Sequence, residues 1–208
     1  EPDAWAQALA ASPMVSVGPD APGTRPLRLV GHRLHLERYW AQESTVAAEL
    51  LARRPAPNGA VDTDRLAAAA ADLLREGVDP EQAAATVVPL FTGVSVIAGG
   101  PGTGKTHTVA RVLGMLLRTS GRPLLIGLAA PTGKAAARMD EALARALQGV
   151  PSDLAAELGG LRASTIHRLL GWVPESRNRF RHHRANPLPH DVVVVDEASM
   201  VSVTLMAR

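Results

Sequence analysis

A glycine-rich stretch, GGPGTGKT, occupies residues 99–106 and follows an apolar run. It satisfies the spacing G-x-x-x-x-G-K-[ST], in which backbone N–H groups turn towards phosphate oxygens at the start of a helix. We expect Lys105 to reach the β- and γ-phosphates of a nucleoside triphosphate and the Thr106 hydroxyl to join the shell of a Mg²⁺ ion. The residues expected at this nucleotide site are Gly99, Gly100, Pro101, Gly102, Thr103, Gly104, Lys105, Thr106 and His107.

An acidic pair follows four consecutive valines in VVVVDEAS. Such an apolar run is typical of a strand buried in a parallel sheet, and open α/β sheets bind ligands at the carboxyl ends of their strands. We expect Asp196 to hold Mg²⁺ through water and Glu197 to orient and deprotonate the attacking water. Lys105, Asp196 and Glu197 are therefore the candidate catalytic residues, and Thr106 and Asp196 are the candidate metal ligands.

The tripeptide T-G-K recurs at residues 132–134, in APTGKAAAR. This second stretch has Leu128 where the nucleotide motif requires glycine, and Ala135 where it requires a hydroxyl. It is therefore not a second nucleotide loop. A threonine, an exposed backbone and a helix N-terminus suit the phosphodiester backbone of a polynucleotide, but a plain strand-to-helix turn would have the same pattern.

Composition narrows the class of protein. The 208 residues are 46% hydrophobic and 20% charged, with no cysteine and a net charge of +2. These proportions favour a folded core, exclude disulfides and thiolate metal sites, and suit a reducing, cytoplasmic environment. No apolar run reaches the ~18 residues of a membrane helix. The only lysines, Lys105 and Lys134, both lie in T-G-K stretches, which favours contact with phosphate.

Hydrophobic patterning predicts the elements that must position these groups. Residues 1–26 have no clear periodicity and are interpreted as a loose lead-in, whereas residues 27–90 are predicted to be helical. From residue 93 onwards, apolar strands (GVSVIA, RPLLIGLAA and VVVV) alternate with amphipathic helices. We therefore predict a helical N-terminal domain over residues 1–90 and an α/β domain with a parallel sheet over residues 91–208.

Four motifs occur in order: GGPGTGKTHT, APTGKAAAR, ASTIHRLLG and VVVVDEASM. They resemble motifs I, Ia, Ic and II of the superfamily 1 DNA helicases that move 5′ to 3′. The resemblance is closest to the RecD family, the alpha subunits of exodeoxyribonuclease V (the RecBCD complex), and covers about residues 30–208. It implies the first part of a RecA-like P-loop NTPase core that uses ATP and Mg²⁺, acts on single-stranded DNA and works with RecB-like and RecC-like subunits in double-strand-break repair.

The resemblance also implies roles for single residues. Gln82 matches the glutamine that reads adenine in the family. The positions that match the family's DNA-contacting segments are Thr132, Gly133, Lys134, Thr165 and His167. A threonine or histidine at the start of a helix is also a common cap or core residue. The N-terminal region, with Tyr39 and Trp40, matches the family's partner-docking domain.

Some features depart from the family or stay open. The sequence stops at Arg208, before the second motor core and its arginine finger, so we expect these residues alone to bind nucleotide but hydrolyse it very slowly. His107 stands where related loops carry a small hydroxyl residue, and we expect it to lie on the helix with little effect. Arginine and histidine accumulate over residues 177–190, which would suit DNA phosphates, an acidic partner or an ordinary exposed loop.

Other functions fit part of the sequence. A stand-alone RecD-like helicase would share all four motifs. A P-loop ATPase that does not act on DNA explains Lys105 and Asp196 but gives no reason for PTGKAAAR or STIHRLL. A catalytically silent scaffold is disfavoured because Lys105, Thr106 and the acidic pair are all intact.

Overall fold

The structure, a computed structural model, describes residues 2–54, 63–75, 77–100, 102–149, 152–174, 176 and 179–208. The chain forms two compact units. Unit 1 comprises Glu1–Leu51 and Ser202–Arg208, and unit 2 comprises Ala52–Val201. Among the described residues, no helix combines the length and apolar character that a bilayer-spanning segment needs.

Unit 1 combines a small sheet with helices. Its elements in chain order are α1 (Pro2–Ala10), β1 (Val15–Val17), β2 (Leu27–Val30), β3 (Arg33–Leu36), α2 (Glu37–Arg53), which runs just past its boundary, and α9 (Val203–Met206). Strand β2 is central, parallel to β1 and antiparallel to β3. Helix α2 confirms the predicted helix, but the helical prediction is wrong for the residues before it, which form β2 and β3. The loose lead-in expected over residues 1–26 is wrong, since this segment contains α1 and β1. Strand β1 has only three residues and is held by pairing with β2, so its sequence shows little periodicity.

A buried arginine in β2 stabilises the sheet of unit 1 through hydrogen bonds. Arg28 is 2% exposed, and its guanidinium binds both carboxylate oxygens of Glu37 at 2.8 Å. The remaining N–H groups donate to the carbonyl oxygens of Gly18, Pro19 and Ala21 at 2.6–2.8 Å. All five N–H groups are thus bonded, which is what burial of a guanidinium requires. The hydrogen bonds from Arg28 to the Glu37 carboxylate hold the pKa of Glu37 below its usual value.

Unit 2 begins with α3 (Thr63–Arg75) and α4 (Pro80–Val87), followed by a 3₁₀ turn, Val88–Phe91. Helix α5 (Lys105–Ser120) ends at Gly121, whose φ of 65° is typical of a helix C-terminus. One buried cluster joins α3, α4 and α5: Leu73, Val78, Ala83, Leu90 and Met115. Helices α3 and α4, which the sequence assigned to the N-terminal domain, therefore share a core with the helix that follows the glycine-rich loop. Asp62, which from its position before α3 is a candidate N-cap, lies outside the described residues.

A three-stranded parallel sheet, in the order β5-β4-β6, forms the centre of unit 2. Its elements are β4 (Ile126–Ala130), α6 (Gly133–Ala146), α7 (Ser152–Gly159), β5 (Ala163–Thr165), α8 (Ile166–Leu169) and β6 (Val192–Val195). The helices cover β4 with a core that includes Leu113, Leu128 and Leu158. Strands β4 and β6 and helices α5 and α6 confirm the predictions, as does the parallel α/β arrangement.

The strand predicted immediately before the glycine-rich loop is absent. Residues 94–100 carry no regular structure, and Val96 is 88% exposed. A strand exists only through hydrogen bonds to a neighbour. Within the described part of the chain, no backbone hydrogen bond joins residues 94–98 to another strand, and β6 pairs with β4 alone. The predicted strand is therefore wrong, because β-branched composition favours a strand but cannot supply the neighbouring strand that it must pair with.

Two contacts fix the amino-terminal edge of this sheet. Asp191, just before β6, accepts hydrogen bonds from the guanidinium of Arg122 and from the backbone N–H of Leu125. These hydrogen bonds lower the pKa of Asp191 to about 2, and the bond from Arg122 has the larger effect.

Inside β4, a Cβ placed on Gly127 would lie 2.9 Å from Cδ2 of His190, so this strand position has no room for a side chain.

Candidate functional site

The glycine-rich loop turns into α5 through two left-handed residues. Gly102 has φ 77° and Gly104, the residue before α5, has φ 82°. Side chains disfavour this conformation, so glycine is required at both places. A Cβ on Gly99 would lie 2.5 Å from Oγ1 of Thr103, which leaves the first glycine no space for a side chain either. Pro101 lies outside the described residues.

Lys105 lies in the concave side of this loop. Its Nζ donates to the carbonyl oxygens of Gly99 and Gly100 at 2.7 and 2.8 Å. The ammonium of Lys105 is therefore bonded to the backbone of the loop itself, and it must leave these two carbonyl oxygens before it can bind a phosphate. Thr106 is half-buried in the first turn of α5, and His107 is exposed on the same helix, as expected.

Gln82 lies beside the loop. It belongs to the first turn of α4, where the Asp79 carboxylate accepts from the backbone N–H groups of Glu81 and Gln82. Its Nε2 is 4.0 Å from the position that a Cβ would take on Gly104, and its Oε1 accepts from Nη1 of Arg111 at 3.2 Å. The structure therefore brings Gln82 next to the glycine-rich loop, two candidate parts of a nucleotide site that lie far apart in sequence.

Arg111 was missed by the sequence analysis. A signal for it exists, because residues 104, 108 and 111 recur at the i, i+4, i+7 spacing of one helix face. The backbone N–H of Thr108 donates to the Gly104 carbonyl at 3.0 Å, so the first helical hydrogen bond on this face starts from the last glycine of the loop. What the spacing does not reveal is that α4 packs against this face.

The acidic pair follows β6 at the carboxyl edge of the sheet. The backbone N–H of Asp196 donates to the carbonyl oxygen of Ala129 at 2.9 Å, and its Oδ1 accepts from the backbone N–H of Glu197 at 2.9 Å. Glu197 has φ 50°, the only positive φ outside glycine in the described chain. Such a conformation costs about 1–3 kcal/mol and concentrates at functional sites. Asp196 is half-buried and Glu197 is exposed.

Both candidate DNA-contacting threonines cap helices. Oγ1 of Thr132 accepts from the Ala135 backbone N–H at 3.1 Å, and Oγ1 of Thr165 accepts from the Arg168 backbone N–H at 3.2 Å. The capping alternative considered for Thr165 is thus real. A hydroxyl that accepts in a cap still has its own hydrogen to donate, so capping is compatible with a phosphate contact. Gly133 and Lys134 are exposed at the start of α6.

His167 connects this edge to the arginine- and histidine-rich segment. Its ring lies 5.7 Å from the ring of Phe180, and its carbonyl oxygen accepts from the backbone N–H of Trp172. Trp172 and Phe180 form an antiparallel bridge, and Arg181 donates its backbone N–H to Gly171. The segment therefore folds back onto α8 instead of extending away from it.

Strand pairing places these loops on one edge. Ala130 in β4 is the register partner of Thr165, and Ala129 is the partner of Val195. Because all three strands are parallel, Thr132, Thr165 and Asp196 leave the sheet at its carboxyl edge. The described residues contain no group of three or more histidine or acidic side chains that could hold a metal ion by themselves. A Mg²⁺ site built from one hydroxyl and one carboxylate therefore needs phosphate oxygens and water to complete it.

The chain is similar to proteins of known families. A family model described as an AAA domain matches residues 82–208. The chain is 50% identical to the RecBCD enzyme subunit RecD of Mycolicibacterium smegmatis and 47% identical to that of Mycobacterium tuberculosis, in each case over 100% of this chain and 36% or 35% of the relative. It is 37% identical to the ATP-dependent RecD2 DNA helicase of Deinococcus radiodurans, over 83% of this chain and 20% of the relative.

The chain thus spans about a third of the length of the two RecD subunits named above. The matched family segment begins at Gln82 and includes the glycine-rich loop, the second T-G-K and the acidic pair. This chain therefore belongs to the AAA domain family, with a P-loop NTPase core that binds nucleotide.

Proposed function

We propose that the longer protein containing this chain is an ATP-dependent DNA helicase subunit that moves 5′ to 3′ within a RecBCD-type helicase–nuclease and acts in double-strand-break repair. The observation that carries the proposal is the hydrogen bond from Asp196 to Ala129. It joins the strand that ends at the acidic pair to the strand that ends at the second T-G-K. A nucleotide site and a polynucleotide site on adjacent strands allow a change at one to reach the other through packed, hydrogen-bonded structure.

The nucleotide in this proposal is ATP, held by the loop from Gly99 to Thr106. Lys105 exchanges its two backbone carbonyl partners for β- and γ-phosphate oxygens, a stronger contact because both partners are then charged. The Thr106 hydroxyl and, through water, the Asp196 carboxylate would hold Mg²⁺, which supplies positive charge against the phosphates when bound. Glu197 orients the attacking water and accepts its proton.

Adenine is assigned to Gln82. Its amide lies next to Gly104, at the end of the loop that holds the phosphates. An amide offers one donor and one acceptor, which is the pattern that adenine presents through its ring nitrogen and exocyclic amine.

Single-stranded DNA is assigned to the carboxyl edge of β4 and β5. The donors there are the hydroxyls of Thr132 and Thr165, the backbone at Gly133 and the exposed ammonium of Lys134. These groups suit phosphate oxygens and carry no base preference. His167, packed on Phe180, adds a ring at the same edge.

Unit 1 is proposed to dock a RecB-like or RecC-like subunit. Tyr39 is 37% exposed on α2, and the Arg38 guanidinium lies over its ring and donates to its hydroxyl. Trp40 is less available, because it packs against His35 and Arg28 within the unit. The relatives named as RecBCD enzyme subunits support these partners. A protein that processes chromosomal DNA in this way would work in the cytoplasm, which is the location we propose.

A stand-alone helicase is the second candidate. The similarity to a Deinococcus radiodurans protein named as a RecD2 DNA helicase, without reference to RecBCD, favours it. The two proposals share the motor chemistry and differ in whether the intact protein needs other subunits.

ATP hydrolysis by the full-length protein, with and without single-stranded DNA, tests the proposal. We expect strong stimulation by DNA. Lys105→Ala should abolish hydrolysis, whereas Lys134→Ala should lose the stimulation and retain nucleotide binding. Hydrolysis that does not respond to DNA, or nucleotide binding that disappears with Lys134, would contradict the proposal. Addition of RecB-like and RecC-like subunits then separates the two candidates, since only the first requires them for processive unwinding.

A further inference from the structure

The side-chain amide of Gln82 has different neighbours on its two sides. Its oxygen accepts from the Arg111 guanidinium at 3.2 Å, in a partly buried position between α4 and α5. Its nitrogen faces the end of the glycine-rich loop, 4.0 Å from the Cβ position of Gly104. Because the oxygen and nitrogen of an amide are nearly equal in size, packing alone would not determine which of them faces Arg111 and which faces the loop.

The backbone of Gln82 is already fixed by other contacts. Asp79 caps the first turn of α4, and the hydroxyl of Thr86, which is fully buried, donates to the Gln82 carbonyl oxygen at 2.8 Å. The freedom that remains is rotation of the terminal amide by half a turn. This torsion is broad and roughly two-fold, so without a further contact both orientations are populated.

Arg111 removes that freedom. A guanidinium has five donors and no acceptor, so it bonds the amide oxygen and disfavours the orientation that turns the amide nitrogen towards it. Arg111 itself lies on the α5 face that carries Thr108, whose backbone N–H bonds Gly104. The element that holds the phosphates thus also sets the orientation of the amide.

We propose that Arg111 is a positioning residue for base selection, which locks Gln82 with its amide nitrogen towards the nucleotide. This inference rests on the proposed function, in which Gln82 reads adenine. A locked amide donates from Nε2 to a ring nitrogen, and the second lone pair of Oε1 accepts from the exocyclic amine of adenine. Guanine carries an oxygen in place of that amine and repels Oε1. An amide free to flip accommodates either base, so the lock and not the glutamine alone produces the preference.

The test compares dissociation constants for slowly hydrolysed analogues of ATP and GTP in the full-length protein. We expect Arg111→Met to reduce the preference for ATP over GTP about tenfold, as for loss of a hydrogen bond to a charged group. Arg111→Lys, which keeps a donor, should recover part of it. Arg118→Met is the matched control, since Arg118 is exposed in the last turn of the same helix and should leave the preference unchanged.

Gln82→Ala should also lose the preference, and adding Arg111→Met to it should cause no further loss, because the two act as one unit. A preference that survives Arg111→Met but not Gln82→Ala would overturn the inference and leave the adenine assignment standing. A preference that survives Gln82→Ala would overturn both. Nucleotide binding that does not depend on Lys105 would count against the proposed function itself. A thermal melt of each variant separates loss of fold from loss of selection.

Discussion

The backbone N–H of Asp196 donates to the carbonyl oxygen of Ala129 across 2.9 Å, so the acidic pair begins at the point where β6 is still hydrogen-bonded to β4. Three residues beyond Ala129, Thr132 caps the helix that carries Lys134. A ladder hydrogen bond is short and directional. The two loops are therefore fixed relative to one another by the sheet, and the variants below test each loop separately.

Lys134 should contribute one phosphate contact to DNA binding. Lys134→Ala is expected to make the plot of log association constant against log salt concentration shallower by about 0.7, the value for one phosphate on a single strand. Lys134→Arg keeps the charge and should keep the slope. Fluorescence anisotropy of labelled single-stranded DNA over a salt series measures it, and an unchanged slope in the alanine variant would remove Lys134 from the interface.

Thr132 should have a structural role as well as a proposed DNA role. Thr132→Val loses the cap on the Ala135 N–H and should lower the free energy of unfolding by about 1 kcal/mol. Thr132→Ser retains the hydroxyl and should retain both stability and DNA affinity. Urea denaturation gives the first quantity and anisotropy the second. Equal stability of the valine and serine variants would show that the cap contributes nothing.

Gly127 should tolerate no side chain while His190 is present. Gly127→Ala puts a Cβ 2.9 Å from the imidazole and should cost about 1–3 kcal/mol through overpacking of β4. His190→Ala, combined with Gly127→Ala, removes the clash and should recover much of the loss. Hydrogen exchange of peptides that cover residues 126–130 reports on this strand directly. A double variant no better than Gly127→Ala would place the cause elsewhere.

Two arginine–carboxylate pairs allow a matched comparison of burial. The Arg28 side chain is 3% exposed with Glu37, whereas the Arg122 side chain is 60% exposed with Asp191. Arg28→Met leaves a carboxylate and three backbone carbonyls without donors, so it should lower the Tm far more than Arg122→Met, whose pair is screened by water. Differential scanning calorimetry of the two variants decides the order. Similar Tm losses would mean that Glu37 finds other partners.

The lowered pKa of Asp191 should make the stability of the protein depend on pH in the acid range. Its pKa is lowered from an ordinary 3.8 to about 2, so its contribution to stability is complete above the ordinary value and is lost as the pH falls towards 2. Asp191→Asn should be less stable than the parent at neutral pH, and the difference in Tm between the two should shrink between pH 4 and pH 2. A constant difference over this range would show that the carboxylate is not the group that titrates.

The parts of the candidate site that lie within one contiguous stretch of sequence could be predicted, because the residue spacing within that stretch determines them. Glycine spacing specified the loop before Lys105, and four valines followed by an acidic pair specified the end of β6. Gln82 came only from family resemblance, since a glutamine on a helix has no distinctive pattern. Arg28 and Arg111 were not predicted, because each acts through partners from other elements. The strand predicted at residues 94–98 is wrong for the same reason: its β-branched residues favour a strand, but a strand also needs a second segment to pair with.

In the described residues, β6 pairs with β4 on one side and with no strand on the other, which affects how the protein behaves in concentrated solution. Val193 and Val195 are 39% and 36% exposed, and Val96, in the irregular segment before the glycine-rich loop, is 88% exposed. Open strand edges that carry valine recruit other strands of the same kind. A concentrated sample of these 208 residues should therefore scatter light increasingly with time and concentration. A lysine introduced at Val195 would act as a gatekeeper and delay this association.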